Sequence, residues 1–434
     1  MQKHTKHGLP LALAGAFLLG LSACAAQQAP QPVVITLMHG WGGSRADHLA
    51  MSQIYADFAA ENPDIQLQYD ASPDITVVID KANDMLAADT MPDIISTNGN
   101  SGFVDGAKKK NLALDLAPYL AADPEFAANI SDGVLQAWTN ADGTLYTIPD
   151  VQEVIGYWYN EDLFRQAGIT DTGTPDGAVT PPTTWDDFWA ACDALAAIEG
   201  QTGAAPMRMQ KDQLRILLGA RLAAQDGPSR QFMQNKAAAC DAAEVRAAAA
   251  DMQRAIAYSN AEPLSAADAR QLFFEGKSAI YWNGVWANTE LTQTTTAQHI
   301  RYACFPSNTG GAVSYVSPQS GYVLGNTGSQ EQIDACVRFL KYIVSEDVQK
   351  RIVTETGQVP GNPKITTDWI SSEAPILGKA VETCYQADTQ ILSLYILLSD
   401  RQVSELDRCV EQMLQGNDVT DRLLTILSGS TSIA

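Results

Sequence analysis

The chain has 434 residues, with 28 Lys plus Arg against 50 Asp plus Glu, a formal charge of −22. That length implies two to three domains or two large lobes, and a hydrophobic content of 46% excludes wholesale disorder. A surface this acidic repels phosphate backbones and anionic lipid heads, which excludes nucleic acid and polybasic membrane docking. Of the five His, His4 and His7 lie in the first ten residues, and His39, His48 and His299 have no paired-His spacing, so no metal site is expected.

Residues 1–23 read as a signal peptide: Lys3 and Lys6 are its positive start, and Leu9 to Leu21 is an apolar stretch too short to span a bilayer. It ends in Leu21-Ser22-Ala23-Cys24, which resembles a bacterial lipobox; the resemblance implies cleavage before Cys24 and a diacylglyceryl group on its thiol. The alternative is an ordinary secretory signal cut near an A-x-A-like site. Residues 24–32 (CAAQQAPQP) suit a flexible tether. A terminal lipid anchors a chain to a membrane face without spanning it.

From Val33 the pattern is strand, loop, helix, repeated. VVITLM is a strand leading into the Gly-rich loop HGWGGS, and Leu49, Ile54, Tyr55, Phe58 and Ala59 then recur at helical spacing. IQLQYD alternates as a half-buried strand, a helix covers about residues 76 to 88, and MPDIIST is a third strand entering the loop NGNSG. This rhythm predicts an open, largely parallel sheet with helices on both faces, whose ligands bind beyond the carboxyl ends of the strands, where both loops sit. A second region starts with the strand VIGYWYN and the helix EDLFRQAGI; Thr184 caps the first of several Ala-rich helices running to Ala257. Strands return near Ile300 (YACFP, GYVLG), and helices follow from Gln330 apart from the loop TGQVPGNPK. The picture is two α/β units joined by more than one crossing of the chain.

Enzymatic readings find little support. HGWGGS is similar to an oxyanion-hole loop, but no GxSxG occurs; as a dinucleotide fingerprint it puts Arg45 where close helix packing needs Gly or Ala. Paired carboxylates for glycoside hydrolysis carry no weight among 50 acids. In FFEGKSAIYWNGVWANTEL, Trp282 and Trp286 flank Asn283-Gly284, and two indoles beside a Gly turn either pack in a core or stack on a ligand. Sugars present C–H faces to indole and hydroxyls to polar neighbours, so carbohydrate suits the segment.

VIGYWYNEDLFRQAGI with PPTTWDDFWAACDAL, LFFEGKSAIYWNGVW, and SGYVLGN followed by IDACVRFLKYIVSEDVQKRIV and TGQVPGNP together resemble the bacterial extracellular solute-binding proteins of family 1, the maltose-binding-protein-like substrate-binding lipoproteins of carbohydrate ABC transporters. The order and spacing match across nearly all of the chain after the leader. The resemblance implies a two-lobed, periplasmic-binding-protein-like (type II) α/β fold, each lobe a mostly parallel sheet flanked by helices, with a multi-segment hinge. The first lobe is expected at 33–150 and 300–328, the second at 151–299 and 329–434.

The resemblance further implies a protein that performs no chemistry, holds no cofactor, and captures a neutral mono- or oligosaccharide for permease subunits as a monomer on the outer face of the membrane. Its ligand contacts would be Trp41 and Ser44 from the first loop, Asn98 and Asn100 from the loop after PDII, and Glu153 at the first crossover. Trp286 would be the stacking platform, with Trp282 and Asn283 beside it and Gln319 and Tyr322 from the last crossover. Rival readings are a non-sugar solute (a polyol, a glycerophosphodiester) and a secreted glycosidase or esterase. No clustered Arg or Lys accompanies the loops, which disfavours an anionic ligand. Six Cys remain after Cys24. Nearest-neighbour order pairs Cys192 with Cys240, Cys304 with Cys336 and Cys384 with Cys409 as disulfides; buried free thiols are the alternative.

Overall fold

The strand β1 (Val33–His39) is apolar on both faces, so helices must cover it from both sides. In the computed structural model, which describes residues 31–97, 101–170, 178–259, 264–319, 321–326 and 328–428, β1 pairs in parallel with β2 (Ile65–Ala71) and β3 (Ile94–Ser96). Successive residues of a strand face opposite ways. Ile94 accordingly joins a core with Ile35, Leu37 and the helix Ala46–Glu61, whereas Ile95 joins another with Met38 and the helix Ile75–Ala87. The first of these helices buries Met51, Ile54, Tyr55 and Phe58 but leaves Leu49 58% exposed.

The chain then leaves this sheet and builds a second one around β4 (Val151–Asn160). In chain order the sheet then takes in β5 (Ala205–Met207), β6 (Ser278–Gly284), β7 (Ile300–Ala303), β8 (Phe305–Pro306) and β9 (Ala312–Pro318), with β5 pairing on β6 and β8 on β9. Alternation again divides the strand: Ile155, Tyr157 and Tyr159 pack with Trp185, Phe188 and Phe305, while Val154 and Trp158 pack with Phe273 and Leu377 on the other face. Thr184 caps the helix Trp185–Thr202 by accepting a hydrogen bond from the Asp187 amide, as its place before the helix requires.

The chain returns to the first sheet with β10 (Tyr322–Leu324), antiparallel to β3, and the helix Gln330–Ile343 lays Phe339 and Leu340 against Tyr55 and Phe58. It crosses back at β11 (Val359–Pro360) on β4 and ends its strands with β12 (Thr389–Ile391) beside β9. The three crossings lie together: Tyr322 N–H donates to the Ile148 carbonyl at 2.9 Å and Gly361 N–H to the Asp150 carbonyl at 2.8 Å. Among the described residues, no helix is long and apolar enough to cross a membrane.

Three expectations are corrected. First, the second sheet is not mostly parallel: β4 runs antiparallel to β6, β7, β9 and β11, and only β5–β6 and β9–β12 are parallel pairs. The short link from β8 to β9 makes a hairpin, which can join only antiparallel strands. Second, residues 300–318 lie in the second sheet and the helix Gln330–Ile343 in the first core, so the boundaries expected at 300 and 329 fall instead near 319 and 358. Third, the six described cysteines are free. Cys336 lies in the first lobe and Cys304 in the second, while Cys384 and Cys409 belong to cores on opposite faces of the second sheet. Cys192 and Cys240 share one core as separate thiols. Cys24 lies outside the described residues.

Candidate functional site

Between the lobes lies a chamber of about 730 Å³, and beneath it an inner chamber of about 250 Å³ runs into the second lobe. Glu153, Trp286, Arg215, Ser393 and Tyr395 line both.

The first-lobe wall is built from the start of the helix Ile75–Ala87 and from the loop after β1, which two histidines hold in shape. The amide of Trp41 donates to His39 Nδ1 at 3.1 Å and that of Gly43 to His48 Nδ1 at 2.9 Å. Burial pushes the His39 ring down to about 4 and lowers that of His48 as well, so both are neutral near pH 7. With Nδ1 accepting, each ring carries its proton on Nε2, which leaves His48, a wall residue, a donor there. Glycine is needed at position 43, where a Cβ would stand 2.6 Å from His48 Nδ1. Trp41, 8% exposed, lines the outer chamber and packs edge-to-face with His48. Ser44, by contrast, is exposed outside both chambers. The expected contacts Asn98 and Asn100 lie outside the described residues.

Trp286 owes its position to the residue two before it. The strand β6 ends at Gly284 and the chain turns through a short 3-10 helix, Val285–Ala287, which folds the indole back over Gly284. A Cβ there would overlap the ring, so only glycine permits this placement. The half-buried indole stands where the two chambers meet. Trp282, four residues earlier, is a different case. It is 0% exposed, with Phe305 at 5.2 Å and Phe188 at 5.5 Å between ring centroids. It packs in the second-lobe core and forms the back wall of the inner chamber. Asn283 lines the inner chamber but spends its side chain locally, accepting from the Gly284 amide and donating to the Tyr281 hydroxyl.

Glu153 sits at the start of β4, opposite Ser317 on β9. Burial pushes its carboxyl up to about 7; a hydrogen bond with Ser393 and the Arg215 charge pull the other way, and Asp212 adds to the rise. Gln319, on the outer chamber, has a buried Oε1 with no hydrogen-bond partner among the described residues, an acceptor available to a ligand donor. Tyr322 is corrected. It is wholly buried outside both chambers, its hydroxyl 2.7 Å from that of Tyr55 and close enough to Asp150 at the hinge to lower that carboxyl's pKa against the rise from burial.

Several wall residues escape sequence reasoning. Arg215 bonds Asp407 at 2.6 Å and Asp212, and lies over the Tyr395 ring at 4.5 Å. Lys211 bonds Glu411 at 3.2 Å. Arg45 pairs with Asp47 at 2.6 Å and reaches across to Glu290 at 3.3 Å, which Arg270 holds at 3.1 Å, so this ion chain joins the first-lobe loop to the second lobe. No basic cluster stands out in the sequence because Arg45 is far along the chain from Lys211 and Arg215, and Arg270 lies on yet another helix. Each has a carboxylate partner, so little unpaired positive charge faces the chamber. The helical spacing of Lys211, Asp212 and Arg215 at one helix start was the available signal; nothing marked their meeting with Asp407.

Two α/β lobes crossed three times by the chain, with an indole and polar groups lining the cleft between them, have the architecture of a two-lobed solute-binding protein. The chain belongs to the bacterial extracellular solute-binding proteins, whose family model matches residues 53–377. Its fold is similar to that of a Streptococcus pneumoniae solute-binding protein in complex with the blood group A-trisaccharide (TM-score 0.75, 23% identity, covering 90% of this chain and 97% of that one). It is also similar to a chitin oligosaccharide binding protein (0.75, 20%, 91% and 97%) and to the sugar-binding protein MalE from Xanthomonas citri (0.66, 20%, 91% and 95%). In sequence it resembles a protein of Brucella abortus described as a binding protein, 28% identical over 144 residues (33% of this chain, 31% of the relative). An uncharacterized ABC transporter extracellular-binding protein of Pyrococcus horikoshii is 23% identical over 171 residues (39% and 36%). The matched stretch thus spans about a third of these curated relatives, 31% and 36%.

Proposed function

We propose that the protein is the lipid-anchored substrate-binding component of an ABC importer, which closes on a neutral mono- or oligosaccharide and delivers it to the permease without chemistry. The observation that carries this reading is the half-buried indole of Trp286 at the junction of two chambers, with Glu153 and the unpartnered Gln319 Oε1 on the same walls. An apolar ring face beside hydrogen-bond acceptors suits a ligand with C–H faces and hydroxyl rims. The ion-paired state of Arg45, Lys211 and Arg215 argues against an anionic solute, because an anion would have to displace a carboxylate from each. The bound sugars named for the structural relatives agree with carbohydrate.

A thermal-shift screen against a sugar library tests the reading. A ligand at 100 times its dissociation constant adds about 2.7 kcal/mol of stability. The same sugar should shrink the radius of gyration in solution scattering, since it binds the closed form best. Stabilisation by polyols alone, or turnover of chromogenic glycosides or esters, would replace it with one of the rival readings.

The anchor is tested separately. The mature protein is expected to begin at Cys24 and to partition into detergent, and Cys24→Ser to release it or leave it unprocessed. A wild-type protein that stays aqueous with the peptide before Cys24 intact would remove the anchor from the proposal.

A further inference from the structure

Two thiols that are far apart in sequence meet beneath the second sheet. Cys304 occupies the single position between β7 and β8, and Cys384 the last turn of the helix Pro375–Tyr385 that packs under β7 and β9. The Cys304 thiol donates to the Thr383 carbonyl, one residue from Cys384, at 3.2 Å, and after burial the neighbouring Cys304 thiol is a further cause of the raised Cys384 pKa. Neither residue is free to drift. Ser314 on β9 donates to the Cys384 carbonyl at 2.7 Å, and Tyr302, two residues before Cys304 and therefore on the same face, accepts from Gly156 N–H on β4 and donates to the Asn283 carbonyl on β6. Cys384 is fully buried, and Cys304 is partly exposed. The other four described thiols are buried without such a partner among the cysteines.

We propose that Cys304 and Cys384 close a disulfide in the exported protein, a bridge that stitches the β7–β8 junction to the helix beneath the sheet. Neither expected pairing of these residues, with Cys336 and Cys409, is compatible with the fold, because each places its partner in another core. The inference rests on the extracellular setting of the family, where disulfides persist, and is independent of the sugar reading. The oxidant is an extracytoplasmic disulfide, on a thiol oxidoreductase or a small molecule. Cys304, the accessible thiol, loses its proton, and its sulfur attacks that disulfide, forming a mixed disulfide and expelling one oxidant thiolate. The deprotonated Cys384 sulfur then displaces the second. Two electrons pass to the oxidant, which leaves as a dithiol with the two protons. The bridge encloses a loop of about 80 residues, long enough to constrain the unfolded chain substantially.

The test uses the full chain secreted into an oxidising compartment, unfolded in denaturant with excess alkylating agent and no reductant, then digested and mapped by mass. The expected result is one cross-linked pair of peptides carrying Cys304 and Cys384, with Cys192, Cys240, Cys336 and Cys409 alkylated. Reductant should lower the melting temperature of the wild type by roughly 5–10 °C and leave a Cys304→Ser/Cys384→Ser variant unchanged. Alkylation of all six thiols, or a cross-link joining any other pair, overturns the proposal. A wild type that carries the cross-link yet melts at the same temperature with and without reductant overturns the stitching role.

Discussion

Trp286→Ala is expected to lose roughly 2 kcal/mol or more of sugar binding, the scale of an interface hot spot, with a small effect on folding. Its indole is half-buried and stands over Gly284 at the junction of the chambers, so truncation removes ligand-facing area from a preorganised turn. Trp286→Phe should lose less, because a smaller ring still offers a face. Trp282→Ala is the contrasting variant. Deleting a buried indole packed against Trp185, Phe188 and Phe305 should cost about 3–5 kcal/mol of folding stability. Measured where it remains folded, its affinity should stay near that of the wild type. Titration and denaturation of the two variants side by side decide the matter. A Trp286→Ala protein with unaltered affinity and much reduced stability would place that residue in the core and leave the cleft without its platform.

The second large effect concerns pH and the ligand-free protein. Glu153 has an ordinary carboxyl value of 4.5 when unfolded, and burial raises it to about 7 in the fold. Between these values the folded protein holds a proton that the unfolded chain has released. Stability from this group is therefore fully present below about pH 4.5 and is lost as pH rises through about 7. The total is up to about 3 kcal/mol, because each tenfold gain in proton affinity is worth about 1.4 kcal/mol. Asp150 at the hinge, raised by burial from 3.8 to about 6, acts in the same direction in a lower window. Glu153→Gln should thus flatten the curve between about pH 6 and 7 while the Asp150 slope persists below that range. Parallel denaturation curves for the variant and wild type from about pH 5 to 7.5 would show that Glu153 does not hold its proton in the fold.

Much of the architecture is written in local pattern. The apolar run of β1, the alternation in IQLQYD and the Thr184 cap act within a few residues, and the elements form where those signals stand. Sequence also marked the segment holding Trp286, because a glycine two residues before an indole is a local steric requirement. What it left open is which neighbours meet. Trp282 and Trp286 have the same parity and would share a face in one unbroken strand; β6 ends between them at Gly284, and the turn that follows puts one in the core and the other at the cleft. Tyr322 reads as a contact beside a crossover, yet its direction is fixed by Tyr55 from a helix 267 residues away. The pairing of Arg215 with Asp407, and the approach of Cys304 to Thr383 and Cys384, likewise join segments with no common pattern. Lobe membership follows the same rule. Residues 300–318 join the second sheet because β4 offers them hydrogen-bonding edges, and the helix Gln330–Ile343 returns to the first lobe because Phe339 finds Tyr55 and Phe58 there. Period and capping act over one turn of helix or two residues of strand, whereas the cleft and its ion pairs depend on contacts hundreds of residues apart, which only the packed cores bring together.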